Sequence, residues 1–310
     1  MPGGQWTADD MPDQSGRIAV VTGANSGLGL WTSRGLVRAG ARVLMACRDL
    51  QKGEAAARTI RAEKPAGQVA VERLDLGDLA SVRAFAERTP PRVDLLINNA
   101  GVMAAPRRLT TDGFESQFGT NHLGHFALTG LLLGRLLAAS EPRVVTVSSA
   151  LHRAGTINFD DLQGERSYNR WKAYGQSKLA NLMFCFELQR RAVEASTTLE
   201  SMAAHPGYAA TNLQFAGPAR FYERALGALG NRVFAQSAEM GALPTLYAAT
   251  FPGLPGGTFV GPDGRNEQRG YPRVLSAAGK AYDEDAWRRL WQVSEELTGV
   301  HYEFGVPAAA

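Results

Sequence analysis

Tyr174 and Lys178 stand four residues apart in Tyr174-Gly175-Gln176-Ser177-Lys178, so a helix would present a phenol and an ammonium on one face. An ammonium beside a phenol favours the phenolate and lowers the tyrosine pKa. Such a pair can exchange a proton with an alcohol or carbonyl near neutral pH. Ser149 follows the apolar run Arg143-Val144-Val145-Thr146-Val147. At a strand end it can donate to a substrate oxygen and steady the charge that develops there. Taken alone, the Tyr–Lys pair equally suits a partly exposed helix face. Its sequence neighbours separate the two readings.

The elements that must hold these groups begin at Ile18-Ala19-Val20-Val21, a short apolar strand, followed by Thr22-Gly23-Ala24-Asn25-Ser26-Gly27-Leu28-Gly29. Glycine permits a tight turn and lets backbone approach a bulky anion, and the helix start beyond it offers unpaired N–H groups and a positive dipole end. Strand, glycine turn and helix in that order form a dinucleotide-binding signature, here spaced Gly-x-x-x-Gly-x-Gly. Further strands are expected at 42–47, 69–74, 93–97, 143–147, 202–204 and 258–260. Helices are expected at about 51–63, 79–88, 112–139 and 174–193, with Asp78 capping the second of these. This alternation predicts one α/β domain over 15–310, a Rossmann-type, doubly wound, seven-stranded parallel sheet with helices on both faces; residues 1–14 form a polar extension. Ligands in such sheets lie beyond the carboxyl ends of the strands. The glycine turn, Arg48, Asp75, Asn98-Asn99-Ala100-Gly101, Ser148-Ser149 and Pro206-Gly207 all fall at that edge. Their agreement outweighs any single motif.

Composition excludes several classes. The 310 residues are 45% hydrophobic and 20% charged with a net charge of +3, and no basic run points to nucleic acid. Cys47 and Cys185 read as small buried apolar residues, and His122, His125 and His152 lack metal-ligand spacing, so neither a disulfide nor a metal is expected. Met1 to Gly16, with Asp9, Asp10 and Asp13, resembles no signal peptide, and Leu123 to Ala139 is interrupted by His125 and Arg135. The expectation is a cytoplasmic protein without a membrane anchor, with homo-oligomerisation left open.

With these motifs in order, the chain resembles a short-chain dehydrogenase/reductase over about Ser15 to Val300, and within that family the retinol-dehydrogenase-like branch. The closer likeness rests on Ala46-Cys47-Arg48-Asp49, Thr120-Asn121-His122-Leu123-Gly124-His125-Phe126, Val147-Ser148-Ser149, Ser177-Lys178-Leu179-Ala180-Asn181, His205-Pro206-Gly207 and the inserted segment Leu151 to Lys172. The resemblance implies a catalytic tetrad. Tyr174 is its acid/base, and Lys178 tunes the tyrosine and binds the nicotinamide ribose. Ser149, rather than Ser148, orients the substrate oxygen, and Asn121 holds a water in a proton relay. It also implies cofactor contacts from Gly23, Asn25, Ser26, Leu28 and Gly29 to pyrophosphate and ribose, from Asp75 and Leu76 to adenine, and from Asn99, Ala100 and Gly101 on the adenosine side. Pro206, Gly207 and Thr211 receive the nicotinamide amide, while Asn98 holds strands together.

Arg48 favours NADP(H), since an arginine after the second strand suits a 2′-phosphate where an acid would suit the ribose diol; NAD(H) is the second option. The stretch 212–235, with Phe215, Phe221 and Tyr222 among glycines, reads as a lid over a small lipophilic substrate, and Met103, His152 and Trp171 add to the pocket wall. Trp31 is expected to pack on the sheet, and Trp287, Leu290, Trp291 and Val293 to mark a packed amphipathic helix. The expected activity is hydride transfer between nicotinamide and a lipophilic alcohol, ketone or aldehyde. The alternatives are an NADP(H) sensor without turnover, a C=C or C=N reductase, or an epimerase.

Overall fold

A computed structural model of the protein describes residues 5–208 and 236–305. Its strands are β1 (Ile18–Thr22), β2 (Arg42–Cys47), β3 (Gln68–Arg73), β4 (Leu95–Asn98), β5 (Arg143–Val147), β6 (Glu200–Ala204), β7 (Phe259–Pro262) and β8 (Pro272–Leu275). The principal helices are α1 (Gly27–Arg38), α2 (Leu50–Ala62), α3 (Leu79–Arg88), the short α4 (Ser116–Phe118), α5 (Gly124–Leu137), α6 (Arg170–Glu194), α7 (Ala238–Thr250) and α8 (Glu284–Thr298). They surround one sheet of order β3-β2-β1-β4-β5-β6-β7-β8. The chain reverses its direction of winding between β1 and β4, which places the crevice of a doubly wound sheet beside the glycine turn.

Strand alternation divides the core in two. Ala19, Val21, Val43, Met45, Leu95, Ile97 and Val145 face α1, α2 and α7. Their sequence neighbours Val20, Leu44, Ala46, Leu96 and Val144 face α3, α5 and α6. Nearly continuous apolar strands are what a sheet covered on both faces requires.

Two expectations need correction. The sheet has eight strands, and the eighth runs antiparallel to β7 with Phe259 opposite Leu275 and Pro262 opposite Pro272. Pro272–Leu275 opens on a proline and exposes Arg273 and Val274. It therefore carries edge-strand chemistry and lacks the apolar run by which buried strands are read. The expected helix over 112–139 is broken: α4 leads into a π-helical turn, Gly119–Leu123, before α5. Glycine permits close packing at both ends of that turn. A Cβ at Gly119 would lie 2.7 Å from Thr110 Cγ2, and one at Gly124 would lie 2.9 Å from Leu76 Cβ. The turn carries Asn121 and turns it toward the site.

The polar N-terminal extension is docked, with Trp6 edge-on to Tyr247 of α7 at 5.2 Å. Trp31 is half-buried beneath the Arg34 guanidinium, 4.5 Å away, and belongs to none of the core clusters. Asp78 caps α3 by accepting from the Ala80 and Ser81 amides. The amphipathic C-terminal helix α8 buries Trp291 among Phe126 (5.0 Å), Phe184 (5.9 Å) and Tyr302 (4.4 Å). Replacing this residue by alanine should cost about 3–5 kcal/mol of unfolding free energy. Trp171→Ala, at a side chain 49% exposed, should stay within about 0.5 kcal/mol of wild type. Urea unfolding followed by circular dichroism checks both.

Candidate active site

The turn after β1 is built around close approach to the turn after β4. Gly23 has φ +65°, and a Cβ there would sit 2.9 Å from Ala100 Cβ; one at Gly29 would meet Asn99 Nδ2 at 2.6 Å. The Asn99 and Ala100 amides both donate to Thr22 Oγ1 at 2.9 Å, and Asn99 Nδ2 donates to the Thr22 carbonyl at 2.7 Å. Ser26 occupies the N-cap of α1 without bonding its first turn, so that turn's amides have no side-chain cap. A helix start of this kind suits a phosphate. Asn25 and Leu28 lie half-buried on the same turn. Arg48 follows β2 and is exposed, with no side-chain hydrogen bond or ion pair among the described residues. Its neighbour Asp49 is otherwise engaged: it caps α2 through the Lys52 amide at 3.1 Å and pairs with Lys52 Nζ at 3.3 Å. Asp75 turns its carboxylate onto the Gly77 amide at 3.0 Å, and Leu76 is buried beside α5. The glycine cradle and the uncapped helix start together fit a dinucleotide.

Asn169 caps α6 by accepting from the Trp171 and Lys172 amides. Tyr174 and Lys178 follow on one face, with Lys178 Nζ 5.7 Å from the tyrosine ring centre. The effect on Tyr174 is opposite to that expected. Burial pushes its pKa up to about 12, while the Ser149 hydroxyl acts in the lowering direction. Desolvation also lowers Lys178 from 10.5 to about 8. Its ammonium donates to the Val147 carbonyl at 3.0 Å. The lysine is thus directed at β5 more than at the phenol, and desolvation outweighs its charge. Ser148 is excluded as the substrate-facing serine, because its hydroxyl donates to the Lys178 carbonyl at 2.8 Å and is buried. Ser149 stays half-buried.

Asn121 accepts from the Val102 amide at 2.7 Å and donates to the Val102 carbonyl and to Ser177 Oγ, each at 2.9 Å. Its own carbonyl accepts from His125 Nδ1 at 3.0 Å. The side chain is therefore a brace for the loop after Gly101. A Cβ at Gly101 would lie 3.1 Å from Asn121 Oδ1 and 3.6 Å from Lys178 Nζ, so these three residues meet. Asn98 ties β4 to α5 through Thr129 Oγ1 at 3.0 Å.

The histidines are structural in setting. Burial lowers His122 to about 3 and His125 to about 4, leaving both neutral. His152, expected at the pocket edge, is wholly buried. Its Nδ1 donates to the Ser149 carbonyl at 2.7 Å and its Nε2 accepts from the Ala278 amide at 3.1 Å. It braces the serine turn from behind, since Ser149 opens a 3-10 turn, Ala150–Ala154, that folds His152 inward. Met103 is half-buried and Trp171 exposed. Pro206 and Gly207, φ +66°, lie at the end of β6. Thr211, Phe215, Phe221, Tyr222 and the expected lid over 212–235 lie outside the described residues. Among the described residues no group of His, Cys, Asp or Glu could hold a metal, and no helix is long and apolar enough to cross a membrane. Both cysteines are buried and free, their thiols pushed up to about 11 and 12 by burial.

The reading of the sequence assigned Thr22 and His125 no role in joining the turns, and it did not single out Glu267. Glu267 contacts Arg153 and His205, which are far from it in the chain. No local pattern marks such a residue.

The profile of the family described as short chain dehydrogenase matches residues 17–217. With the sheet order and the cradle just described, this chain belongs to the short-chain dehydrogenase/reductase family and is an oxidoreductase. Its relatives place it in the retinol-dehydrogenase-like branch. It is 42% identical to mouse Retinol dehydrogenase 14 over 92% of this chain and 86% of that protein. It is 43% identical to mouse Retinol dehydrogenase 12 over 93% and 88%. Among solved structures, an uncharacterized protein from Mycobacterium paratuberculosis shares 50% identity and a TM-score of 0.82, covering 97% of this chain and 100% of that one. A protein described as an NAD(P) dependent gluconate 5-dehydrogenase from Beutenbergia cavernae, solved with NADP at low occupancy, shares 26% identity and a TM-score of 0.60 over 77% and 91%.

The buried ammonium of Lys178 should make the protein less stable than it could be. Unfolding restores its pKa from about 8 to 10.5, so the unfolded chain binds more protons between those values and stability rises with pH across that window. Below it the penalty is present in full, on the order of 3 kcal/mol. Lys178→Met removes the charge, and Val147 keeps its bond from Asn181 Nδ2 at 3.1 Å. The variant should therefore unfold later than wild type at neutral pH, with the gap closing above pH 8. Thermal unfolding of the ligand-free protein across pH checks this.

Proposed function

We propose that the protein is an NADP(H)-dependent oxidoreductase that interconverts a lipophilic alcohol and the corresponding ketone or aldehyde. The observation that carries this reading is the grouping of buried Tyr174 and Lys178 with half-buried Ser149 on the same sheet edge as the glycine cradle. A bound nicotinamide dinucleotide supplies or accepts the hydride. The protein's own residues do the rest. With its pKa raised to about 12, Tyr174 is a protonated hydroxyl throughout the working pH range, ready to donate to a carbonyl oxygen. Ser149 donates a second hydrogen bond to that oxygen, and the Lys178 ammonium stabilises the phenolate left on Tyr174. In oxidation the same groups work in reverse.

The preference for NADP(H) is supported by the division of labour after β2. Capping holds Asp49 on its own helix and leaves Arg48 free to meet a 2′-phosphate. Gly23, Asn25, Ser26, Leu28 and Gly29 would hold the pyrophosphate and ribose, and Asp75, Leu76 and Asn99 to Gly101 the adenosine. Pro206 and Gly207 would meet the nicotinamide amide. A lipophilic substrate is supported by Leu151, two residues after Ser149, and Trp171, three before Tyr174, which are 37% and 49% exposed, with Met103 on the loop after Gly101.

Tyr174→Phe should lower kcat by about 10²–10⁴ while NADPH still binds, read as NADPH oxidation against lipophilic ketones and aldehydes. Binding without turnover by wild type across that panel would favour a sensor. Product analysis separates carbonyl reduction from reduction of C=C or C=N and from epimerisation. Arg48→Asp should raise KM for NADPH by about 10- to 100-fold, equivalent to roughly 1.5–3 kcal/mol, and leave KM for NADH little changed. Equal KM values for the two cofactors in wild type would overturn the assignment.

A further inference from the structure

The loop between β7 and β8 carries a carboxylate that neither the cradle nor the tyrosine group uses. Asn266 and Glu267 are consecutive non-glycine residues in the left-handed region, at φ 55° and 57°. A loop that needed only to reverse direction would take glycine there. The conformation turns Glu267 inward, leaving its side chain 18% exposed. Oε1 lies 2.7 Å from Arg153 Nη2, and Oε2 lies 3.3 Å from His205 Nε2. The second contact sets the carboxylate against the imidazole, although it is poorly aligned for a full hydrogen bond.

These partners belong to the two turns that flank the active site. His205 is wholly buried at the end of β6, and its Nδ1 accepts from the Gly207 amide at 3.2 Å. An accepting Nδ1 puts the ring proton on Nε2, facing the carboxylate. Carboxylate, imidazole and main-chain amide thus form one chain ending at Gly207. Arg153 lies in the 3-10 turn that begins after Ser149, and the same Nη2 donates to the Ser276 carbonyl at 3.1 Å. The neighbouring His152 holds the Ser149 carbonyl.

The same loop grips the 206–208 turn at other points. The Tyr208 amide donates to the Gln268 carbonyl at 2.7 Å. Gln236 Nε2 donates to the Pro206 carbonyl at 2.6 Å, while its Oε1 accepts from the Gly270 amide at 3.2 Å. A Cβ on Gly207 would strike the Gln268 carbonyl and come within 2.8 Å of Pro262 Cγ. The turn is held tightly, and Glu267 gives it a charged link to the serine side.

We propose that Glu267 is a positioning residue for the nicotinamide end of the bound dinucleotide. It sets the tautomer of His205, hence the Gly207 amide, and locks that turn to the Ser149 turn through Arg153. The proposal rests on the preceding reading, in which Pro206 and Gly207 meet the nicotinamide amide. Losing the carboxylate should therefore disturb one end of the ligand and spare the other.

Calorimetric titration with NADPH and with 2′-phospho-ADP-ribose, which lacks the nicotinamide, separates the two ends. Glu267→Ala should weaken NADPH binding by about tenfold or more and leave the fragment within about twofold of wild type. Glu267→Gln, which keeps an acceptor toward His205, should recover part of the loss, and it carries the same comparison if the alanine variant does not fold. Equal weakening of both ligands would reduce Glu267 to a structural role, and an unchanged NADPH affinity would remove it from the site; either overturns the proposal. If wild type binds neither ligand, the cofactor reading itself falls and takes this inference with it.

Discussion

The site depends on two chain turns being brought almost into backbone contact. The turn after β1 and the turn after β4 meet where Gly23 faces Ala100 and Gly29 faces Asn99, and Thr22 holds them there. Its Oγ1 accepts two amide bonds, from Asn99 and Ala100, and can direct its single hydrogen to His125 Nε2, 2.9 Å away. Because a carbonyl only accepts, the bond from His125 Nδ1 to Asn121 O fixes the proton on Nδ1 and leaves Nε2 as acceptor. Burial keeps the ring neutral, which this arrangement requires. One hydroxyl and one imidazole therefore connect the cradle to the π-helical turn that carries Asn121. Any side chain at Gly23 or Gly29 would force the turns apart and break that connection.

Burial also governs the chemistry, and it acts against the charges. Tyr174 and Lys178 are both withdrawn from water, and each responds by favouring its neutral form. For the tyrosine this is useful in reduction, where the group must hold its proton until a carbonyl oxygen can take it. For the lysine it stores free energy, because a desolvated ammonium with one carbonyl partner is poorly satisfied and would gain from further acceptors. Hydroxyls of a bound ribose are acceptors of that kind. On the proposed reading, ligand binding would relieve that strain. Binding and stability then pull on the same residue in opposite directions.

Much of this was legible in the sequence because strand alternation and the glycine turn are local properties. The double-faced sheet followed from apolar runs such as Val43 to Cys47, and the order of polar clusters at strand ends indicated the edge where the site lies. What escaped depended on distance in the chain or on competition between forces. The edge strand β8 has no buried face to give it a pattern. The π-helical turn arises from packing at Gly119 and Gly124 against Thr110 and Leu76, contacts that helical periodicity does not encode. The sign of the Tyr174 shift could not be read from spacing, since a lysine one turn away is compatible with either outcome until burial is known. Glu267 is invisible for a further reason: its backbone conformation contradicts its residue type, and only the partners explain it.

Arg48 and Asp49 show how local structure resolves an ambiguity of composition. An arginine followed by an aspartate after the second strand contains both the residue that would attract a 2′-phosphate and the residue that would repel it. Charge alone does not decide between them. The proposed preference for NADP(H) rests instead on the start of α2. A helix leaves its first amides unpaired, and an aspartate at the N-cap is among the best residues to satisfy them. Asp49 meets that need through the Lys52 amide and is neutralised further by the Lys52 ammonium. Its carboxylate is thereby engaged at the start of α2, while Arg48 is left exposed with its donors unpaired among the described residues. The selectivity of a dinucleotide site can thus be set by which residue of an adjacent pair the following helix needs.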